Sequence, residues 1–261
     1  MSLSITILGS NSAVPSVNRW TSSQYIKVNG SGLLFDCGEG TQIKLQLYNI
    51  KINSIDRIFI THLHGDHFFG LAGLISTFHL SGRKKPLEVY GPKELEDIIT
   101  LQLKVSETIL CYPLTFHSVD PNKTYTIYSG KDYKVVSFPL DHRISTTGFL
   151  IKVKPLGKKH SEKSYAYCTD TKYKPDIVDI IKDVDAIYHE ATFLSELQHQ
   201  ADDKFHSTAK EAALIAKGAN ANLLIIGHFS KRYPNPEVLL EEATSIFNNT
   251  MLAQDGTIIE L

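Results

Sequence analysis

Four side chains able to hold a metal ion fall within six positions of one stretch, Thr61-His62-Leu63-His64-Gly65-Asp66-His67. Imidazole and carboxylate together suit zinc and its first-row neighbours. His62 and His64 stand two apart, so in extended backbone both rings lie on the same side and can share one ion. Gly65 permits a sharp turn, after which Asp66 and His67 come round toward a second position. The packet follows an apolar run, Ile58-Phe59-Ile60, that reads as a buried strand. Unpaired polar groups are costly there, and the packet has too many ligands for one tetrahedral ion.

The other parts of a two-metal site are found where strands are expected to end. His142 follows the apolar run up to Pro139, Asp170 follows Tyr165 to Cys168, and His228 follows Leu223 to Ile226. Singly, each is a loop residue; the packet is what makes them partners. His62, His64 and His142 can hold one ion, Asp66, His67 and His228 the other, and Asp170 can bridge. Two divalent ions about 3.5–4 Å apart lower the pKa of a shared water and clamp the oxygens of an in-line displacement. The bridging hydroxide is then the nucleophile, and Asp66 can accept its proton.

A phosphodiester also needs a proton for its leaving alkoxide. The candidates are His206, before a helix start, and Glu190, in His189-Glu190-Ala191-Thr192. A glutamate holding an imidazole raises its pKa and keeps it a donor; the plain alternatives are a strand-end acid and a helix-flanking histidine. In Gly227-His228-Phe229-Ser230-Lys231-Arg232-Tyr233, Arg232 can fork onto a phosphate and Lys231 can add a point charge.

The elements that must position these groups read as one α/β domain over residues 1–261, of ordinary globular composition with 42% hydrophobic and 21% charged residues. A formal net charge of −1 gives no global basic bias, so any contact with nucleic acid rests on local patches. Three separated cysteines, Cys37, Cys111 and Cys168, point to a reducing cytoplasm instead of a disulfide framework. No signal peptide or long apolar span is evident, so a cytoplasmic enzyme without a membrane segment is expected.

Leu3 to Leu8 reads as a first strand. Gln24 to Val28 and Leu33 to Asp36 read as a hairpin around Asn29-Gly30. Helices are expected at Thr41 to Tyr48, at Leu71 to Leu80, from Pro92 to about Ser106, at Asp176 to Lys182, after a capping box at Thr208 and Glu211, and from Asn235-Pro236 to about Asn248. Further strands are expected at Arg57 to Ile60, Leu87 to Tyr90, Tyr112 to Val119, Thr124 to Tyr128, Tyr133 to Pro139, Thr146 to Val153, Ser164 to Cys168, Ala186 to His189 and Leu223 to Ile226. Two sheets packed face to face with helices outside satisfy this order.

Several stretches resemble ribonuclease Z, the tRNA 3′-processing endonuclease of the metallo-β-lactamase superfamily. They are Phe35-Asp36-Cys37-Gly38-Glu39-Gly40-Thr41-Gln42, the His62 to His67 packet, Tyr90-Gly91-Pro92, His189-Glu190-Ala191-Thr192-Phe193, His206-Ser207-Thr208 and His228-Phe229-Ser230-x-Arg232-Tyr233. The packet specifies the superfamily; the Phe-Asp-Cys-Gly-Glu and His-Phe-Ser-x-Arg-Tyr stretches are more specific. The resemblance implies a four-layer αβ/βα sandwich, two Zn2+ ions per chain (Mn2+ suits the same donors), a homodimer, and cleavage of precursor tRNA that leaves a 3′-hydroxyl. It puts the metal ligands on His62, His64, Asp66, His67, His142, Asp170 and His228, the proton acceptor on Asp66 and the donor pair on Glu190 and His206. Substrate contacts then fall to Arg232, Lys231, Ser230 and Arg19.

Three departures stand out. Where many members carry a long tRNA-gripping arm, this chain has only the lysine-rich loop 154–163. Pro15-Ser16-Val17-Asn18-Arg19-Trp20 matches the family's Pro-x-Lys-x-Arg-Asn at Arg19 but not at Val17 or Trp20. Thr169-Asp170-Thr171-Lys172 replaces the usual Gly-Asp-Thr-Arg. The alternative these departures raise is a phosphodiesterase or other hydrolase of small substrates such as cyclic nucleotides; a non-catalytic RNA-binding or structural member is a third reading, against which the complete ligand set argues.

Overall fold

A computed structural model describes residues 3–155 and 161–261. Its strands, in chain order, are β1 (Leu3–Gly9), β2 (Ser23–Val28), β3 (Ser31–Phe35), β4 (Ile55–Phe59), β5 (Leu87–Gly91), β6 (Leu114–Ser118), β7 (Tyr125–Ser129), β8 (Tyr133–Leu140), β9 (Thr146–Val153), β10 (Lys163–Cys168), β11 (Ala186–Glu190), β12 (Leu223–Gly227), β13 (Thr250–Leu252) and β14 (Ile258–Glu260). They form two seven-stranded sheets, ordered β14-β1-β2-β3-β4-β5-β6 and β13-β12-β11-β10-β9-β8-β7. Each sheet is mixed. β3 through β6 run parallel, as do β10 through β13, and the remaining pairs are antiparallel.

Strict alternation along the strands makes the layers. On β3, Leu33 and Phe35 face the opposite sheet while Leu34 faces outward; on β4, Phe59 faces inward and Ile58 outward. Rings from the two sheets meet at the centre, with Phe35 to Phe149 centroids 5.5 Å apart and Phe35 to Tyr167 centroids 5.7 Å apart. Outside the first sheet lie α1 (Thr41–Leu47), the one-turn α2 (Gly65–Phe68), α3 (Leu71–Leu80) and α4 (Glu94–Val105). Helix α3 buries Leu71, Leu74, Ile75 and Phe78, the spacing of one helical face. Outside the second sheet lie α5 (Gln198–Lys204), α6 (Ala209–Gly218) and α7 (Glu237–Thr244). The architecture is the expected αβ/βα sandwich. Among the described residues no helix is long and apolar enough to cross a membrane.

Several local expectations are corrected. Asp176 to Lys182 is not a helix but one 3₁₀ turn, Pro175–Ile177, followed by turns that bury Ile177 and Ile181. Helix α7 stops at Thr244, short of Asn248, because the chain must reach β13 and pair it with β12. The short strands β13 and β14 and helix α5 carry no sequence signal long enough to read. By contrast, Asn29 and Gly30 turn the β2–β3 hairpin with φ values of 47° and 95°, as that dipeptide requires. The capping box at Thr208 and Glu211 is present in full. Half of the basic loop 154–163, residues 156–160, lies outside the described residues, and Lys163 already belongs to β10.

Candidate active site

The parallel strands of both sheets end on one rim, and the polar residues just past those ends face each other across it. Asp36 follows β3, Asp170 stands two residues beyond β10, and His228 follows β12. All three adopt the left-handed conformation, with φ of 56°, 46° and 59°. That region costs a residue with a side chain about 1–3 kcal/mol, but it turns each side chain sharply from its strand into the rim.

The structure brings all seven sequence-expected ligands together. His62 Nε2 and His142 Nε2 each lie 3.1 Å from His64 Nδ1. Asp170 Oδ2 is 3.6 Å from both of those Nε2 atoms. The other Asp170 oxygen, Oδ1, is 3.4 Å from His67 Nε2 and 3.1 Å from His228 Nε2. Asp66 Oδ2 is 3.5 Å from His67 Nε2 and 3.4 Å from His228 Nε2. Two donor sets result, His62–His64–His142–Asp170 and Asp66–His67–His228, each with its ligand atoms within 4.8 Å of one another. A third set of the same kind, Asp170–Glu190–His206–His228, overlaps them.

Four of the five imidazoles are steered by an outward Nδ1, while His64 is reversed, with Nδ1 inward and Nε2 3.3 Å from the Arg143 guanidinium. His67 Nδ1 lies 2.7 Å from Asp36 Oδ2, His142 Nδ1 lies 2.7 Å from the Phe205 carbonyl, and His62 Nδ1 and His228 Nδ1 lie 2.9 Å from the hydroxyls of Thr61 and Thr192. Such partners fix the ring and leave Nε2 aimed inward. Asp36 supports this from below. Fully buried, it also accepts from the Thr61 backbone at 2.8 Å and from Tyr167 of the opposite sheet at 3.0 Å. Sequence reading gave Asp36, Thr61 and Thr192 no role. The one available signal was an acid placed directly after the apolar run Gly32-Leu33-Leu34-Phe35, which needs a partner when buried.

The electrostatics call for a cation. Asp36, Asp66 and Asp170 converge with no lysine or arginine paired to any of them among the described residues. Burial opposes the charge on Asp66, but His67 and His228 hold its carboxyl well below the usual range. Burial also opposes a charge on His67, yet Asp170, Asp66 and Asp36 drive it well up, while burial and the neighbouring His67 push His62 down to about 3. His67 Nε2 is buried without a hydrogen-bond partner. An orphaned donor atom facing two carboxylates, within a set of nitrogens and oxygens, fits a divalent ion.

Beside these sets, Glu190 is fully buried and every contact it makes is with a donor. Oε1 accepts from the Thr171 N–H at 2.7 Å and from His206 Nδ1 at 2.8 Å; Oε2 accepts from Thr192 at 2.7 Å and from the Ser207 N–H at 3.1 Å. Burial works against a charge on His206, but the Glu190 carboxylate outweighs it and lifts the imidazole to about 9. A cavity of about 540 Å³ opens over the rim, lined by His64, Asp66, His142, Asp170, His206 and His228 and by the loop residues Ser12 to Pro15. The Ala13 N–H from that loop reaches Asp66 Oδ2 at 2.8 Å. Arg143, Lys204 and the exposed ring of Phe69 also line the cavity.

The expected substrate contacts are spread more widely. Ser230, Lys231 and Arg232 line an adjoining cavity of about 260 Å³ with Phe193, Lys204 and His206. The Arg232 guanidinium lies 5.1 Å over the Phe193 ring and donates to Gln200. Arg19 is not on either cavity wall; its guanidinium donates to the Tyr233 carbonyl at 3.0 Å and ties the Pro15 loop to the segment after β12.

Comparison with known proteins places this geometry. Residues 3–237 match the family model described as Anti-Pycsar protein Apyc1. The chain is 41% identical over 299 residues to a ribonuclease Z of Cytophaga hutchinsonii, covering 98% of this chain and 96% of the relative. It superposes on the crystal structure of the short form of human tRNase Z with a TM-score of 0.83 and 32% identity, over 98% of each chain. The metallo-β-lactamase fold protein YhfI from Bacillus subtilis is 20% identical and superposes with a TM-score of 0.79 over all of both chains. The 299-residue alignment is longer than the 261 residues of this chain, so the relative carries segments that are missing here.

Proposed function

Since this chain belongs to the ribonuclease Z family by its relatives and to the Anti-Pycsar protein Apyc1 family by its residues 3–237, we propose that it is a cytoplasmic, zinc-dependent endoribonuclease that removes the 3′ trailer of precursor tRNA. The single observation that carries this reading is the juxtaposition of two metal-competent donor sets with a buried acid–imidazole pair in one cavity. His62, His64, His142 and Asp170 would hold one ion, and Asp66, His67 and His228 the other, with Asp170 facing both. Two such ions supply Lewis acidity toward a water and toward the phosphate oxygens.

The chain's own residues do the rest. Asp66 Oδ2, oriented by the Ala13 N–H, takes the proton of the attacking water. His206, kept protonated by Glu190, gives a proton to the departing ribose oxygen, leaving a 3′-hydroxyl on the tRNA. Arg143, Lys204, Lys231 and Arg232 set positive charge along the walls where a polyanion would lie, despite the net charge of −1. A homodimer fits the exposed Ile43 and Leu47 of α1, Leu80 of α3 and Leu101 and Val105 of α4, since apolar side chains on one outer layer invite a second copy.

Incubation with a precursor tRNA and mapping of the cut is expected to place it immediately after the discriminator base. A chelator should abolish the cut and added Zn2+ or Mn2+ restore it. Intact precursor in the presence of metal-loaded protein would refute the reading. Small phosphodiesters such as cyclic nucleotides are the second reading, favoured by the segments that this shorter chain lacks. Turnover of a cyclic nucleotide with no cut in the precursor would select it.

A further inference from the structure

Thr192 is buried between the acid–imidazole pair and a rim histidine. Its Oγ1 lies 2.7 Å from Glu190 Oε2, 2.9 Å from His228 Nδ1 and 3.0 Å from the His228 carbonyl oxygen. A hydroxyl has one proton to donate. The carboxylate and the carbonyl can only accept it, and Glu190 accepts from backbone N–H groups at both of its oxygens. The Thr192 proton is therefore directed away from the His228 ring, for which only oxygen lone pairs remain. When the donor set holds a divalent ion, His228 Nδ1 carries the hydrogen, and Nε2, which lies 3.1 Å from Asp170 and 3.4 Å from Asp66, keeps its lone pair free for that ion.

The same device occurs on the first sheet. Thr61 Oγ1 donates to Asp36 at 3.0 Å and faces His62 Nδ1 at 2.9 Å. The difference lies in the acid. Asp36 joins the floor of the site, whereas Glu190 also grips His206 at 2.8 Å, on the opposite side from Thr192. One hydroxyl thus touches both the group that orients the proton donor and a ring of the second donor set.

We propose that Thr192 is a positioning residue that ties the lone-pair direction of His228 to the Glu190 carboxylate, so that metal retention at Asp66–His67–His228 and alignment of His206 are set together. This rests on the two-metal reading above. In zinc-loaded protein, imidazole 15N spectra of wild type are expected to show a slowly exchanging hydrogen on His228 Nδ1, and those of Thr192→Val a rapidly exchanging one. In zinc-loaded protein, chelator competition is expected to strip one of the two ions from Thr192→Val with affinity lowered about 10–100-fold, the usual effect of losing such a supporting contact. Thr192→Ser, which keeps the hydroxyl, should restore both readouts, and Thr192→Ala replaces valine if that variant does not fold. No hydrogen on His228 Nδ1 in the zinc-loaded wild type, equally slow exchange in the valine variant, or both ions held at wild-type affinity in the variant without a hydroxyl, would overturn the role. A wild type that takes up no zinc would overturn the metal reading and this role with it, whereas a fault confined to Thr192 leaves zinc uptake by the wild type intact.

Discussion

Asp66→Ala is expected to lower single-turnover cleavage by about 10⁴-fold, the upper end of what a positioned proton acceptor contributes. The substitution removes three things at once: the oxygen 3.4–3.5 Å from His67 and His228, the acceptor of the Ala13 N–H, and the group proposed to take the proton of water. Asp66→Asn separates them, because it retains an oxygen for the Ala13 N–H but cannot hold a proton as a base. Both variants should lose most of the rate, and the alanine variant should also lose one ion per chain by elemental analysis. Cleavage within tenfold of wild type by either variant would leave Asp66 with no part in the chemistry.

The second large effect is expected at the acid–imidazole pair. With Glu190 beside it, His206 keeps its proton up to about pH 9, so a donor limb should appear only as pH rises through that value. Glu190→Gln removes the negative charge, and the imidazole should fall toward its ordinary value of about 6.5. At neutral pH most molecules then lack the donated proton, and the limb moves to lower pH. His206→Ala should cost about 10²–10⁴ in rate at every pH. The double variant should lose little more than His206→Ala alone, because the glutamate acts through the ring. The pair also affects folding. A raised folded-state pKa means that its stabilisation is complete below about pH 6.5 and is lost as pH rises through about 9. A wild-type rate profile with no limb near pH 9, or additive losses in the double variant, would sink the assignment.

What the sequence made legible follows from how far apart the partners lie. The His62 to His67 packet is dense enough to announce itself. His142, Asp170 and His228 could be linked to it because each ends an apolar run, and strand ends of packed sheets share a rim. The sandwich was readable from alternating strands and from helices with one apolar face, as at Leu71–Leu80. The supporting contacts were not. Tyr167 meets Asp36 across 131 residues, and Thr192 meets His228 across 36, and no local pattern marks either hydroxyl. The three-residue strands β13 and β14 exist because a sheet edge was open to them, a tertiary cause with no period of its own. Arg19 illustrates the converse. A cation in a suggestive loop was expected to meet substrate, and its guanidinium is instead engaged with the Tyr233 backbone.

The left-handed residues that close β3, β10 and β12 carry an evolutionary corollary. At Asp36, Asp170 and His228 the backbone suits glycine better than the residue present, and at Asp170 a second carboxylate, Asp66, adds repulsion. Selection for thermal endurance and selection for reactivity therefore pull Asp170 and His228 in opposite directions, whereas the Asp36 carboxylate also answers the buried donors of Thr61 and Tyr167. A duplicate released from its reaction should drift early at Asp170 and His228, toward glycine or asparagine, and become hardier as it becomes inert. Consensus-style stabilisation of this scaffold should leave these three corners untouched.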